Sequence, residues 1–186
     1  MSILNKIRLC SECAEYLPFE PRPILQFSSK AKIIIVGQAP GIKAHDNHKP
    51  WSDASGNRLR EWLQLDETQF YDPELLSIVP MGFCYPGKGK SGDLAPRPEC
   101  APKWHPKLLD ISRPKLILLI GKYAQDYYLP DKNKLTERLL NWEAYLPNYL
   151  ILPHPSPRNN IWLKKHPWFE EKVLPAMRLL LADCMY

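Results

Sequence analysis

The stretch Ile33-Ile34-Ile35-Val36-Gly37-Gln38-Ala39-Pro40-Gly41 carries the clearest structural signal in the chain. Four apolar residues that end in a glycine-containing turn are typical of a buried strand in a parallel sheet. A second stretch has the same form, because Tyr149-Leu150-Ile151-Leu152 leads into His154-Pro155-Ser156-Pro157-Arg158-Asn159. In open α/β sheets, ligands bind beyond the carboxyl ends of such strands. The two stretches therefore predict one site that combines backbone N–H groups with a histidine.

The rest of the chain alternates apolar runs with helical patterns. Two more strands are predicted at 75–80 and 115–120, and 37–53 and 84–102 are predicted to be loops. Helices are predicted after a cap at Asp53 or Ser55, and at 3–9, 104–111, 123–129, 135–140 and 160–183, with breaks at Pro167 and Pro175. This order predicts an α/β fold: one three-layer α/β/α domain over residues 1–186, with a central four-stranded, mostly parallel sheet. Residues 1–31 form a cysteine-containing arm that packs on it.

Composition and charge narrow the class of protein. With 186 residues, 45% of them apolar, the chain is long enough for one globular core. Residues 84–122 contain eight Lys or Arg and three acidic residues, and so carry the whole net charge of +5. Such a basic surface fits a polyanion such as nucleic acid, or else it is a solvated lysine face. The sequence has neither an apolar run of membrane-spanning length nor a signal-peptide core at its start, which predicts a cytoplasmic protein without a membrane partner.

Four cysteines have the spacing of a metal site. Cys10 and Cys13 form a C-x2-C hairpin, and Cys84 and Cys100 lie in the predicted loop 84–102. Four thiolates on two loops suit an iron–sulfur cluster or a structural zinc ion. The alternative is four separate buried thiols, because a free cysteine packs as a small hydrophobic residue. The fifth cysteine, Cys184, is not assigned to this site.

With these motifs assembled, the chain resembles the uracil-DNA glycosylase superfamily, and in particular its iron–sulfur branches, families 4 and 5. The resemblance rests on the C-x2-C pair, the Gly37–Gly41 turn, Pro50-Trp51-Ser52-Asp53-Ala54-Ser55-Gly56, Cys84 with Cys100, and the His-Pro-Ser-Pro motif at His154. It implies that the four cysteines bind a [4Fe-4S] cluster, with zinc as the second choice. It also implies a monomer that acts on DNA containing deaminated bases.

The resemblance also implies roles for site residues. Asp53 would stabilise the sugar cation or orient water, unless it only caps a helix, and His154 would donate a hydrogen bond to the leaving base. Asp46 and His45 are substitutes for Asp53 in the same loop. Trp51 would stack on the flipped base. The remaining implied contacts are to the base or sugar (Gly37, Gln38, Ala39 and Gly41) and to DNA (Ser156, Arg158, Asn159 and Lys122).

Two departures from the uracil-specific iron–sulfur branch bear on specificity. That branch has Glu where this chain has Gln38, and Asn where this chain has Pro80. Asp53 matches an Asp of the broad-specificity branch. The resemblance therefore implies release of uracil, and of hypoxanthine or xanthine as well, to leave an abasic site.

Two other functions compete with a glycosylase. One is a DNA-binding or abasic-site-binding protein of the same fold without catalysis, which the change to Gln38 motivates. The other is a small-molecule α/β enzyme that uses the turn at 37–41 for phosphate. That turn lacks the Lys-Ser/Thr of a P-loop and the spacing of a dinucleotide-binding motif.

Overall fold

A computed structural model describes residues 1–185 of the chain, and its centre is a four-stranded sheet. All three pairings within this sheet are parallel, and the strand order is β2-β1-β5-β6. A separate two-stranded hairpin is formed by β3 and β4. The strands are β1 (Ile33–Val36), β2 (Leu76–Ile78), β3 (Lys88–Gly89), β4 (Gly92–Asp93), β5 (Leu116–Ile120) and β6 (Tyr149–Leu152).

Helices fill the connections between these strands and flank the sheet. They are α1 (Ile3–Arg8), α2 (Ile42–Asn47), α3 (Ala54–Leu63), α4 (Glu67–Phe70), α5 (Cys100–Ser112), α6 (Lys122–Tyr128), α7 (Leu135–Leu140), α8 (Asn160–Lys165) and α9 (Leu174–Met185). The prediction of a three-layer α/β domain with a four-stranded sheet is confirmed, and the sheet is entirely parallel.

The strand order explains where the helices lie. The chain runs from β1 outward to β2, then crosses β1 to reach β5 and continues to β6. Parallel crossovers are right-handed, so this reversal moves the following helices to the opposite face of the sheet. α9 returns to the first face, where it contacts α3 and β1. The reversal leaves a crevice at the carboxyl ends of β1 and β5, which is where α/β sheets bind ligands.

The two central strands are buried on both faces. Every residue of β1 and β5 is less than a tenth exposed, as expected for continuous Ile, Leu and Val runs between helical layers. Each such side chain contributes ~1.5–3 kcal/mol when it is fully buried. Register is fixed by pairs such as Ile35 with Leu118 and Leu118 with Leu150. The sheet is therefore a rigid base for the segments that leave it.

Several predicted boundaries and connections were wrong. Residues 37–53 are not one loop, because α2 lies within them, and α4 was not predicted at all. The segment 84–102 contains the β3–β4 hairpin, and its last residues, from Cys100, already belong to α5. The chain breaks at Pro167 as predicted. The predicted break at Pro175 is wrong, because a π-helical turn, Phe169–Val173, leads without interruption into α9 and Pro175 lies within this continuous helix.

The N-terminal arm packs on the sheet layer. Ile7 of α1 is fully buried, and Ile24 is nearly so. The main chain of Ile24 donates to Phe83, and that of Gln26 exchanges hydrogen bonds with Ile78 at the edge of β2. The arm therefore covers the outer edge of the sheet that β2 would otherwise expose.

Candidate active site

A cleft of about 370 Å³ lies at the carboxyl ends of the strands. It falls within the ~300–1,000 Å³ typical of pockets for small ligands. Most of the residues predicted for the site line it: Gly37, Gln38, Ala39, Gly41, Trp51, Asp53, His154, Ser156, Arg158 and Asn159. Residues to which the sequence analysis assigned no contact also line it, namely Pro40, Ala44, Pro50, Ser55, Ile78, Pro80 and Asp93.

The turn after β1 is held against the neighbouring segment. The carbonyl of Gly37 accepts from Met81 at 2.9 Å, and that of Gln38 accepts from Gly82 at 3.0 Å. The Gln38 side chain donates its Nε2 to the carbonyl of Leu94, at 3.4 Å. An amide is neutral, so Gln38 cannot act as a general base and can only donate or accept hydrogen bonds.

Trp51 lies in a strained and tightly held position. Its φ is +56°, a conformation that is rare for a bulky residue. The Tyr71 hydroxyl donates to the carbonyl of Pro50 at 2.8 Å and lies 3.3 Å from that of Trp51, which fixes the segment. The indole ring lies 5.5 Å from the His154 ring, centroid to centroid, at a tilt of 36°. Strain of this kind persists only where the surroundings hold it, as at binding sites.

Asp53 is the N-cap of α3 and also lines the cleft. Its Oδ1 accepts a hydrogen bond from the Gly56 N–H at 2.9 Å. Among the described residues, Oδ2 receives no hydrogen bond from a protein donor. The cap and the site role are therefore not alternatives, because one carboxylate oxygen anchors the side chain and the other is free. His45 and Asp46, the substitutes for Asp53, lie on α2 and do not line the cleft.

His154 follows β6 and lies beside the end of β5. Gly121 has φ +79° and ψ 176°, a region that is essentially restricted to glycine. A β-carbon there would lie 3.4 Å from the His154 Cβ, so the histidine packs directly on this glycine. The Asn159 amide donates to the His154 carbonyl at 2.6 Å. Burial lowers the pKa of His154, with Arg158 adding to this and Asp53 opposing it. The ring is therefore neutral near pH 7 and has one N–H to donate.

The β3–β4 hairpin closes one side of the cleft and was not predicted. Its Asp93 lies next to Gly41, with Oδ2 3.2 Å from the position of a β-carbon there. Burial raises the pKa of Asp93, Arg158 lowers it and Asp53 raises it further. The signal for this element was present in the sequence, because two glycines flank the two-residue turn Lys90-Ser91.

The residues predicted to contact DNA divide into two groups. Arg158 is exposed and turns toward the hairpin, where its guanidinium donates to the Ser91 carbonyl and packs on Gly92. The Ser156 hydroxyl accepts from the main-chain N–H of Arg158 at 3.3 Å. Lys122 does not line the cleft and pairs with Asp126 on α6, which leaves its side chain mostly exposed.

The four predicted cysteine ligands line one small cavity of about 30 Å³. Burial raises the pKa of Cys84 to about 11 and that of Cys100 to about 12. Arg97 lines the same cavity, and its Nε is buried without a hydrogen-bond partner among the described residues. Within residues 1–185, no three His, Cys, Asp or Glu side chains come close enough together to hold a single metal ion. The cofactor therefore stays a prediction.

Comparison with known proteins identifies the family. A model of the Uracil DNA glycosylase superfamily matches residues 25–178, and the chain belongs to that superfamily. A Type-4 uracil-DNA glycosylase from Saccharolobus solfataricus is 22% identical over 163 residues, which are 83% of this chain and 74% of the relative. A solution NMR structure of a "putative Uracil DNA glycosylase" from Methanosarcina acetivorans is similar with a TM-score of 0.48 and 16% identity. That match covers 86% of this chain and 97% of the other.

In the described part of the chain, no helix is long and apolar enough to cross a membrane.

Proposed function

We propose that this protein is a DNA glycosylase that hydrolyses the N-glycosidic bond of a deaminated base and leaves an abasic site. The observation that carries the proposal is the meeting of Asp53 and His154 in one cleft at the carboxyl ends of β1 and β6. A base stacked in a duplex cannot reach such a cleft, so the nucleotide must be flipped out of the helix. Uracil is the proposed substrate, with hypoxanthine and xanthine as further ones.

His154 is proposed to stabilise the leaving base. As the glycosidic bond breaks, its electron pair goes to the base, and negative charge develops on the carbonyl oxygen. A neutral imidazole held by Gly121 and Asn159 donates its N–H to that oxygen. Preorganised donors of this kind contribute ~3–4 kcal/mol to transition-state stabilisation.

Asp53 is proposed to act on the sugar. The positive charge that develops there is stabilised by the carboxylate, whose Oδ2 can also orient the attacking water. Water adds its oxygen to the sugar carbon, and its proton ends on the departing base or in solvent. The hydrogen bond between Gly56 and Oδ1 fixes the carboxylate for both tasks.

The remaining cleft residues are proposed to bind the flipped nucleotide and the DNA around it. Trp51 supplies an aromatic face, and stacking contributes ~1–3 kcal/mol per base. Gln38 supplies an amide, beside the main-chain N–H groups of the turn. Ser156, Arg158, Asn159 and Lys122 are proposed to contact the DNA backbone, as are other basic residues of 84–122. The protein is proposed to act as a cytoplasmic monomer.

The cysteine cavity is proposed to hold a [4Fe-4S] cluster, with zinc as the second choice. Four thiols around one cavity are the donor set of such a cluster. A zinc ion would need all four sulfurs at ~2.3 Å from one point, so the sulfurs would have to lie closer together than they do around a cluster. The unpaired Nε of Arg97 also suits an anionic group, because it is a buried donor without an acceptor. The cluster would join the N-terminal arm to residues 84–100 and take no part in bond cleavage.

A base-release assay tests this proposal. Oligonucleotides containing uracil, hypoxanthine or xanthine are incubated with the protein, and alkali then cuts any abasic sites. We expect strand cleavage with the unaltered chain and a loss of about 10²- to 10³-fold with His154→Ala. His166→Ala is the matched control, because His166 lies outside the cleft. A folded protein that binds these duplexes without releasing any base would instead support the non-catalytic DNA-binding function.

A further inference from the structure

The indole ring of Trp51 packs against the imidazole ring of His154 inside the cleft. The two ring centroids are 5.5 Å apart, and no other aromatic ring of the described residues 1–185 lies against His154. The other neighbours give the imidazole little cover: Gly121 has no side chain, and the Asn159 amide bonds the main-chain carbonyl of His154 rather than its ring. Among these neighbours, the indole is therefore the large apolar group that covers the imidazole.

The contact is built into the fold, because the main chain of Trp51 is held from two sides. A β-carbon at Gly56, near the start of α3, would lie only 1.7 Å from the Trp51 carbonyl oxygen, so the two segments touch backbone to backbone. The same carbonyl oxygen lies 3.3 Å from the Tyr71 hydroxyl and 3.5 Å from Arg60 Nη1. These contacts hold Trp51 at its positive φ of 56°. The protein alone therefore sets the position of the indole against His154.

Two charged side chains also act on the His154 ring. Asp53 acts from the N-cap of α3, and Arg158 acts from the segment that follows β6. Lys122, at the start of α6, pairs instead with Asp126. Burial is the strongest influence and lowers the pKa of His154, while Asp53 raises it and Arg158 lowers it. The apolar surroundings of the ring therefore outweigh the attraction of Asp53.

The charge of this imidazole matters for the proposed reaction. A neutral ring donates one N–H to the leaving base and leaves the negative charge of Asp53 free to act on the sugar. A protonated ring would attract Asp53 and would offset that charge, because opposite charges at short range compensate each other. Bond cleavage therefore benefits from a group that excludes water from around His154.

We propose that Trp51 is a positioning residue for catalysis, because its indole excludes water from one side of the His154 ring and so keeps that ring uncharged at neutral pH. This role is additional to stacking on the flipped base, and it requires no particular position of the base. The effect on the charge of His154 can be measured in the free protein. The effect on base release rests on the proposed function.

The test follows the protonation of His154 by NMR in protein with isotope-labelled histidines, where the His154 signal is the one missing from His154→Ala. We expect Trp51→Gly to move the midpoint of the titration to higher pH. Trp51→Phe should move it less, because a smaller ring still covers part of the imidazole. Glycine readily adopts the positive φ of this position, so Trp51→Gly removes the ring without straining the main chain. Trp142→Leu is the matched control, because Trp142 is also partly buried but does not line the cleft.

The same variants are compared in base release over a range of pH. With saturating enzyme, the loss of activity on the acidic side should begin at higher pH in Trp51→Gly than in the unaltered chain. The maximum rate of Trp51→Gly should also be lower, since an aromatic contact to the base is lost. A purely structural change would lower that maximum without moving the acidic side of the profile, so the position of the acidic side is the informative quantity.

Two results would overturn the inference. One is a midpoint for His154 that is the same in Trp51→Gly as in the unaltered chain, and Trp51→Phe decides the question in the same way when Trp51→Gly does not fold. The other is an equal shift in Trp142→Leu, because the midpoint would then respond to any loss of packing. A shifted midpoint in a protein that releases no base supports the inference about the ring and overturns the proposed function alone. Base release with an unshifted midpoint overturns the inference alone.

Discussion

The indole ring of Trp51 lies directly on Gly37, with its Cζ2 2.8 Å from the position that a β-carbon of residue 37 would occupy. No other amino acid fits there unless the ring moves. Gly37→Ala should therefore displace Trp51 and weaken binding of a flipped base by the ~1–3 kcal/mol that stacking contributes. Titration of duplexes with a hydrolysis-resistant nucleotide measures this loss. Gly89→Ala is the control, since its new methyl group would lie 3.1 Å from the end of Leu94 and 3.3 Å from the Gly92 carbonyl oxygen, and does not meet Trp51. Equal binding by the two variants would mean that Trp51 does not stack on the base.

The two roles of Asp53 can be separated by two substitutions. Asn caps helices as well as Asp does, so Asp53→Asn should unfold at nearly the same temperature as the unaltered chain. Asp53→Ala should lose about 0.5–2 kcal/mol of stability with the cap. Both variants should lose base release by orders of magnitude, because neither retains the carboxylate. Thermal unfolding and base release on the same samples test this. Full activity in Asp53→Asn would reduce Asp53 to a structural cap.

Stability should depend on pH through His105. Its pKa is about 4 in the folded chain and about 6.5 when unfolded, so the unfolded chain binds more protons between these values. The free energy of unfolding should therefore fall as pH falls from about 6.5 to about 4, by up to about 3 kcal/mol. Urea titrations over this range measure the slope. His105→Gln cannot titrate and should show a shallower slope, and equal slopes would contradict the assignment.

The contact of Arg158 with DNA should be visible in the salt dependence of binding. A lysine or arginine that neutralises one phosphate contributes about 0.9 to the slope of log K against log salt. Arg158→Ala should reduce the slope by about that amount and weaken binding to damaged and undamaged duplexes alike. Lys32→Ala is the control, because this exposed residue lies at the amino-terminal end of β1, whereas the cleft lies at the carboxyl ends of the strands. An unchanged slope would show that Arg158 stays on the hairpin when DNA binds.

The proposed cluster predicts a coloured protein. Protein isolated without oxygen should show the visible absorption of an iron–sulfur centre and contain about four irons per chain. Cys100→Ser should abolish the colour and lower the melting temperature, because the cluster joins two segments that are distant in sequence. Cys184→Ser is the matched control, since Cys184 does not line the cavity. Zinc in place of iron would support the second choice, and a metal-free native protein would exclude both.

The sheet could be predicted from the sequence because its strands are uninterrupted apolar runs. Ile33–Val36 and Tyr149–Leu152 have the predicted boundaries, and each is followed by a proline- or glycine-containing turn. The convergence of the Gly37–Gly41 turn with His154 also followed from strand order, since the carboxyl ends of parallel strands share one edge. Asp53 was assigned to the same site by the family resemblance. Hydrophobic periodicity therefore predicted the sheet and the motifs that follow its strands.

The elements that the sequence analysis did not predict are all short. α2, α4 and the β3–β4 hairpin are too short to show a period, and the one local signal of α4 was the capping box formed by Asp66 and Gln69. The hydrogen bond between the buried ring of His105 and Pro80 was also invisible, because Pro80 is 25 residues away and contributes a main-chain atom. Arg158 was assigned to DNA from its motif, whereas its contact with Ser91 depends on a hairpin that the sequence analysis did not contain.

The chemistry-bearing side chains of the cleft come from segments outside the four-stranded sheet, while the strands of that sheet contribute the buried core. Substitutions in the segments 37–53, 88–93 and 154–159 are therefore expected to change what the cleft binds without disturbing the four-stranded sheet. Such a division lets natural selection, or an engineer, alter the preferred lesion while the thermodynamic cost stays small. One sheet can in this way support clefts that prefer different bases.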